Sequence, residues 1–156
     1  MTIEYLTFGI GISFISWIIG MIFNNILVKT EFYNSLSHLN FIENKTLNKY
    51  IGLFYFKWVV NNTFFKFFNQ KIKIRNKNTV LADIRREMTI AEISHLIGFV
   101  FVTFIALYKS ISVNPLFGLT IMFVNVFLNL YPSLLQQENK RRLDKLMKRK
   151  LTFGTR

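Results

Sequence analysis

From Tyr5 to Val28 the chain carries no charged side chain across 24 residues, reading YLTFGIGISFISWIIGMIFNNILV. A helix of that length crosses a hydrocarbon core of roughly 30 Å. In lipid, only a helix or a closed barrel satisfies its own backbone polar groups. A signal peptide is the rival reading, and it requires a basic n-region and a small-residue cleavage site. Here the N-terminus holds Glu4 and no Lys, and no A-x-A follows. An uncleaved transmembrane helix over 5–28 is therefore expected.

The rest of the composition agrees. The chain is 51% hydrophobic, yet its 20 Lys+Arg against 8 Asp+Glu give a formal charge of +12. A soluble nucleic-acid binder accounts for the charge but not for the apolar content. A membrane protein with basic loops accounts for both. The absence of cysteine excludes disulfides, thiolate metal sites, a Cys nucleophile and S-palmitoylation. Dinucleotide, P-loop, serine-hydrolase and zinc-protease fingerprints are also missing.

Two further apolar runs follow. One starts at Ile93 and continues to Ser112, with Lys109 as its only charge, near enough to the end to snorkel. The other covers 115–136. The short joint SISVNP makes the two a helical hairpin, and Pro115 suits a first helical turn. Between the first span and this hairpin lies a basic segment, 30–92. Within it, 48–68 holds six Phe, two Tyr and one Trp, interrupted by Lys57, Lys66 and Asn61-Asn62. Its polar centre suits an interfacial helix, with rings at headgroup depth, better than a fourth span, which is the alternative.

Eleven Lys/Arg fall between Lys29 and Arg86 and eight after Glu138, which leaves Lys109 alone at the hairpin tip. With 48–68 lying flat, nineteen of twenty cations share one side, and the positive-inside rule makes that side the cytosol. The expected architecture is one all-α integral membrane domain over 1–156. It has three transmembrane helices, an aromatic-rich interfacial helix and a basic cytosolic C-terminal helix over 137–156. It sits in the cell membrane with its N-terminus outside. The tail's cations follow a span directly, so anionic headgroups rather than nucleic acid are their expected partner.

Candidate chemistry gathers at the edges of the hairpin. Glu92 and His95 are three apart and share a helix face, while Glu87 is turned about 140° away from Glu92. Ionisable groups at the lip of a span are costly unless they face protein or a polar cavity. The pair can serve as a general base and its orienting carboxylate. It can equally be a helix-start carboxylate satisfied by a histidine. An E-x-x-H is also half of a di-iron motif, but its second half and further carboxylates are missing, so no metal is expected. On the other flank, Asn129 and Gln136 are two turns apart, and Gln136, Asn139 and Arg142 extend the same stripe. With the hairpin antiparallel, both polar blocks are expected at the cytosolic surface, lining one pocket.

These two blocks resemble the glycosyl-4,4'-diaponeurosporenoate acyltransferase family, small membrane enzymes of staphylococcal carotenoid pigment synthesis. EMTIAEISHL, from Glu87 to Leu96, is similar to a family block E-x-x-R-A-E-x-x-H-W. It matches at Glu87, Ala91, Glu92 and His95 and departs at Ile90 and Leu96. NLYPSLLQQENKRRLDKL, from Asn129 to Leu146, is similar to Asn-x-Pro followed by Gln-Arg-Tyr-Asn-Arg-x-Arg-Leu. It matches at Asn129, Gln136, Asn139, Lys140 (for Arg), Arg142 and Leu143, with Pro132 shifted by one and Gln137 and Glu138 in place of Arg and Tyr. The resemblance covers roughly 49–148.

It implies transfer of a fatty acyl group to a sugar hydroxyl of a glycolipid-like or carotenoid-glycoside acceptor. In that reading, acyl-CoA or an acyl carrier is the co-substrate and no other cofactor is needed. His95 is the base and Glu92 orients it. Glu87, Asn129, Gln136 and Asn139 bind substrate, and Lys140, Arg141 and Arg142 hold donor phosphates. A non-catalytic membrane subunit, with another membrane protein as partner, is the alternative.

Overall fold

A computed structural model describes residues 2–42, 45–62 and 81–153. The described residues are helical, with no strand among them. The helices are α1 (Thr2–Leu27), α2 (Phe32–Leu36), α3 (Lys45–Tyr50), α4 (Leu53–Asn62), α5 (Leu81–Ser112), α6 (Pro115–Asn125) and α7 (Tyr131–Phe153). A π-helical turn, Val126–Leu130, joins α6 to α7. Three stretches are long and apolar enough to cross a membrane: Ile3–Leu27, Leu81–Ser112 and Pro115–Arg149. The protein is a multi-pass membrane protein. The second stretch begins at Leu81, well before the apolar run at Ile93. At 1.5 Å per residue its 32 residues reach about 48 Å, more than a hydrocarbon core requires.

The chain forms two compact units, one of residues 1–39 and 90–133, the other of 40–89 and 134–156. In the first unit α1 turns a stripe of small and polar residues inward: Tyr5, Gly9, Ser13, Ser16, Gly20 and Asn24. Its large apolar residues, among them Phe14, Ile15, Ile18, Ile22 and Phe23, are exposed. Such a distribution suits lipid as the solvent, because small residues let helix backbones approach while the outer face meets hydrocarbon. A Cβ on Gly20 would lie 2.2 Å from the carbonyl oxygen of Ser94, and one on Gly118 would lie 2.5 Å from Cβ of Ser110. Both glycines are therefore fixed by close helix contact. Asn24 seals the same end by donating from Nδ2 to the Ile90 carbonyl (3.1 Å) and to Ser94 Oγ (3.2 Å).

The opposite end is closed by aromatics. Tyr5 stacks on Phe117 with centroids 4.1 Å apart, over a core of Val102, Ala106 and Ile121. Asn114 caps α6 by accepting from the Phe117 amide (2.9 Å), with Pro115 in the first turn, and donates to the Tyr5 hydroxyl (2.8 Å). Lys109 is accommodated here over the rings of Phe8 and Phe117, at 5.3 and 5.6 Å.

In the second unit the segment read as one interfacial helix over 48–68 is broken. Gly52, at φ +72°, turns the chain between α3 and α4. Residues 63–68 of that reading lie outside the described residues. Leu53, Val60, Ile84, Leu135 and Leu143 are buried. Arg85 donates from Nε to Asp144 Oδ1 at 2.7 Å, which ties the start of α5 to α7. Gln137, also buried, accepts from the Phe41 amide at 2.9 Å.

Candidate functional site

His95 lies on α5 among polar groups supplied by three helical segments. The indole of Trp17 stands edge-on to its ring, with centroids 5.8 Å apart and planes at 88°. Trp17 is itself fixed by a hydrogen bond from Nε1 to the Leu128 carbonyl in the π turn, at 3.2 Å. The Asn129 side chain hydrogen-bonds the imidazole. Nδ1 is closed off from solvent and has no hydrogen-bond partner among the described residues, so the bond falls to Nε2.

Asn129 is wholly buried and its partners fix its amide. Nδ2 donates to Ser16 Oγ (3.1 Å) and to Asn125 Oδ1 (2.9 Å), which turns Oδ1 toward the ring. Asn125 in turn donates to the Phe99 carbonyl (3.0 Å) and to Thr103 Oγ1 (3.3 Å). An i→i+5 turn widens the helix by one residue, a device found often at functional sites. Here it carries Asn129. Gly98, one turn after His95, leaves room for the network: a Cβ there would lie 3.0 Å from both Asn129 Oδ1 and Ser16 Oγ.

Glu92, one turn before His95, is also wholly buried. The first unit therefore holds His95, Glu92 and Asn129 of the residues singled out from sequence. The remaining six lie in the second unit. Of these, Glu87 is exposed on α5, Gln136 and Asn139 are half-buried on α7, and Lys140 is buried.

Arg141 and Arg142 border an open cleft of about 830 Å³ in the second unit. Lys145 and Glu138 join them from the same face of α7, while Lys49, Lys57 and Tyr55 come from α3 and α4. Arg142 is paired with Glu138. Arg141 donates to Asn40 Oδ1 at 3.1 Å and to the Ile42 carbonyl, so it also anchors the chain entering α3. Burial, and after it the Arg142 guanidinium, hold the Lys57 ammonium below its ordinary value, against the opposing pull of Glu138. Lys140 is not among the residues lining this cleft. Among the described residues, no group of His, Asp and Glu is placed to hold a metal.

Sequence reasoning missed Ser16 and Trp17 around His95, and Lys49, Lys57, Tyr55 and Lys145 around the cleft. A signal existed for some of them. Glu138, Arg141, Arg142 and Lys145 follow a 3-4-7 spacing, one face of a helix. Ser13, Ser16 and Asn24 interrupt an apolar span on one face.

The family model of glycosyl-4,4'-diaponeurosporenoate acyltransferase matches residues 29–149. The chain belongs to this family. The family is one of acyltransferases in carotenoid biosynthesis. The matched region includes His95, Glu92, Asn129 and every residue of the cleft, whereas α1, with Ser16 and Trp17, precedes it. No curated protein and no solved structure matches the chain.

Proposed function

We propose that this acyltransferase-family protein moves a fatty acyl group from acyl-CoA or an acyl carrier to a hydroxyl of a glycolipid-like or carotenoid-glycoside acceptor. Transfer takes place at the cytosolic face of the cell membrane. The observation that carries this reading is the arrangement at His95, a histidine on a spanning segment whose ring is held by Asn129 through one nitrogen, while the other nitrogen, closed off from solvent, has no hydrogen-bond partner among the described residues. With Nε2–H given to Asn129 Oδ1, the lone pair lies on Nδ1. Nδ1 takes the proton of the acceptor hydroxyl as its oxygen attacks the thioester carbonyl. The new C–O bond forms, the C–S bond breaks, and the proton passes from the imidazolium to the leaving thiolate. Glu92, a turn away, favours the transient imidazolium by its negative charge. Trp17 keeps the ring in one orientation. With no cysteine in the chain, direct transfer replaces an acyl-cysteine intermediate.

The charge distribution supports the orientation, since nineteen of twenty Lys/Arg lie outside the hairpin tip, in the two segments assigned to the cytosol. In this reading membrane lipids and the lipid-like acceptor are the partners, and no nucleic acid is involved. Transfer of a radiolabelled acyl group by purified protein to a glycoside lipid in nanodiscs tests the proposal. Product formation that depends on His95 supports it. Absence of transfer from either kind of donor, with a larger membrane protein co-purifying, would instead mark the chain as a non-catalytic subunit.

A further inference from the structure

We infer that the cleft in the second unit binds the phosphate-rich nucleotide end of a coenzyme A thioester. The inference rests on the acyl-transfer reading and adds to it the class of donor and the place where the donor is held. Five cations border the cleft, Lys49, Lys57, Arg141, Arg142 and Lys145, against a single carboxylate, Glu138. Glu138 is occupied by Arg142. Lys49, Lys57 and Lys145 make no ion pair among the described residues.

Such a concentration of like charge is unfavourable unless an anion completes it. The cations also come from separate elements, so their convergence is not a by-product of one basic helix. The volume, about 830 Å³, lies within the range of small-molecule and cofactor sites. Tyr55 and Phe54, both largely exposed, stand edge to face at 6.0 Å at the border of the cleft, and offer a ring face on which a nucleobase stacks.

The charge selects among donors. The phosphopantetheine arm of a carrier protein brings one phosphodiester and one negative charge. Coenzyme A brings a pyrophosphate and a 3′-phosphomonoester, about four negative charges near pH 7, together with an adenine. The cations left after Glu138 pairs with Arg142 match the second ligand and exceed what the first needs. An anionic phospholipid headgroup shares the phosphate chemistry but has no base to stack and no second phosphate group of this kind.

Coenzyme A itself, without an acyl chain, is the probe, because its binding is then read independently of turnover. The full chain is placed in nanodiscs of zwitterionic lipid, and binding is measured by calorimetry. Saturable binding is expected. It weakens about tenfold when the 3′-phosphate is removed, and by a similar factor in each of Lys57→Gln and Lys145→Gln. Tyr55→Ala weakens coenzyme A binding more than it weakens binding of inorganic pyrophosphate. Unchanged thermal unfolding of each variant excludes misfolding, and Lys57→Arg restores binding.

Absence of coenzyme A binding overturns the inference, as does binding indifferent to both lysine substitutions. Retention of phosphatidylglycerol by the same lysines, without coenzyme A binding, reassigns the cleft to lipid headgroups and overturns it as well. Transfer from an acyl carrier without coenzyme A binding sinks this inference and leaves the acyl-transfer reading standing. Coenzyme A binding without any transfer does the reverse.

Discussion

The imidazole of His95 is hydrogen-bonded by Asn129, whose own amide is held by Ser16 and Asn125. Asn129 and the edge-on indole of Trp17 together hold the ring in one plane. For the proposed base, that arrangement supplies pre-organisation without rearrangement at the moment of reaction. It depends on the π turn at Val126–Leu130, which carries both Asn129 and the Leu128 carbonyl that anchors Trp17.

Replacing Asn129 by Ala removes two donated hydrogen bonds and the ring contact together. A polar contact between membrane helices contributes about 0.6 to 2 kcal/mol, so the variant should be measurably less stable in thermal unfolding in detergent. Turnover per folded molecule should fall by more than the folded fraction does. Equal losses in the two would mean that Asn129 serves packing alone.

The glycines give a steric test with an internal control. Gly20→Ala places a methyl group against the Ser94 backbone, where something must move, and overpacking of that kind costs typically 1–3 kcal/mol. Gly118→Ala should behave alike against Ala106 and Ser110. Gly11→Ala meets nothing within 4 Å and should unfold at the wild-type temperature or slightly above it, as alanine favours helix. Equal effects at Gly11 and Gly20 would contradict the packing of α1 against α5.

The spans were legible because a charge-free run of 24 residues admits few fates. His95 and Asn129 were legible as polar residues at the edges of apolar runs. Their contact was not, because it depends on a π turn that no spacing rule announces, and on the close approach of α1 to α5 at Gly20, which length alone does not encode. The aromatic stretch 48–68 looked continuous because hydropathy is insensitive to one glycine, and only the positive φ at Gly52 breaks it. The face of α7 that borders the cleft could be read from the spacing of Glu138, Arg141, Arg142 and Lys145. Its partners Lys49 and Lys57 could not, because the break at Gly52 decides where α4 points.

The cleft should titrate abnormally. Burial first and the Arg142 cation second lower the pKa of Lys57 from 10.5. Its charged form is thus disfavoured on folding. The penalty applies below the folded pKa and is relieved as pH rises through that value toward 10.5, so this group makes the fold more stable across that window. Carbon-13 dimethylated lysine resonances should show Lys57 titrating below the ordinary lysine value. Arg142→Gln should raise the value, since it removes a facing cation and leaves Glu138 unpaired, while Arg141, Lys145 and Lys49 remain around the cleft. A Lys57 resonance titrating at or above the ordinary lysine value would contradict the account.

The proposed orientation is testable because the chain lacks cysteine. Single cysteines at Val113, exposed at the hairpin tip, and at Lys148, exposed on α7, should react from opposite sides of an intact membrane. Val113→Cys should label with an impermeant reagent added outside, and Lys148→Cys only after the membrane is opened. The reverse pattern would invert the topology and remove the cytosolic donor from the proposal.

The central claim is that His95 acts as the base in acyl transfer, and the most direct measurement is the turnover of His95→Ala normalised to folded protein. Loss of a general base typically lowers the rate by ~10²- to 10⁴-fold, and a fall of that size is expected with the variant still inserted and monodisperse. Glu92→Gln should cost less, because the carboxylate acts on the imidazolium from a turn away. A His95→Ala protein that turns over at close to the wild-type rate per folded molecule would contradict the account.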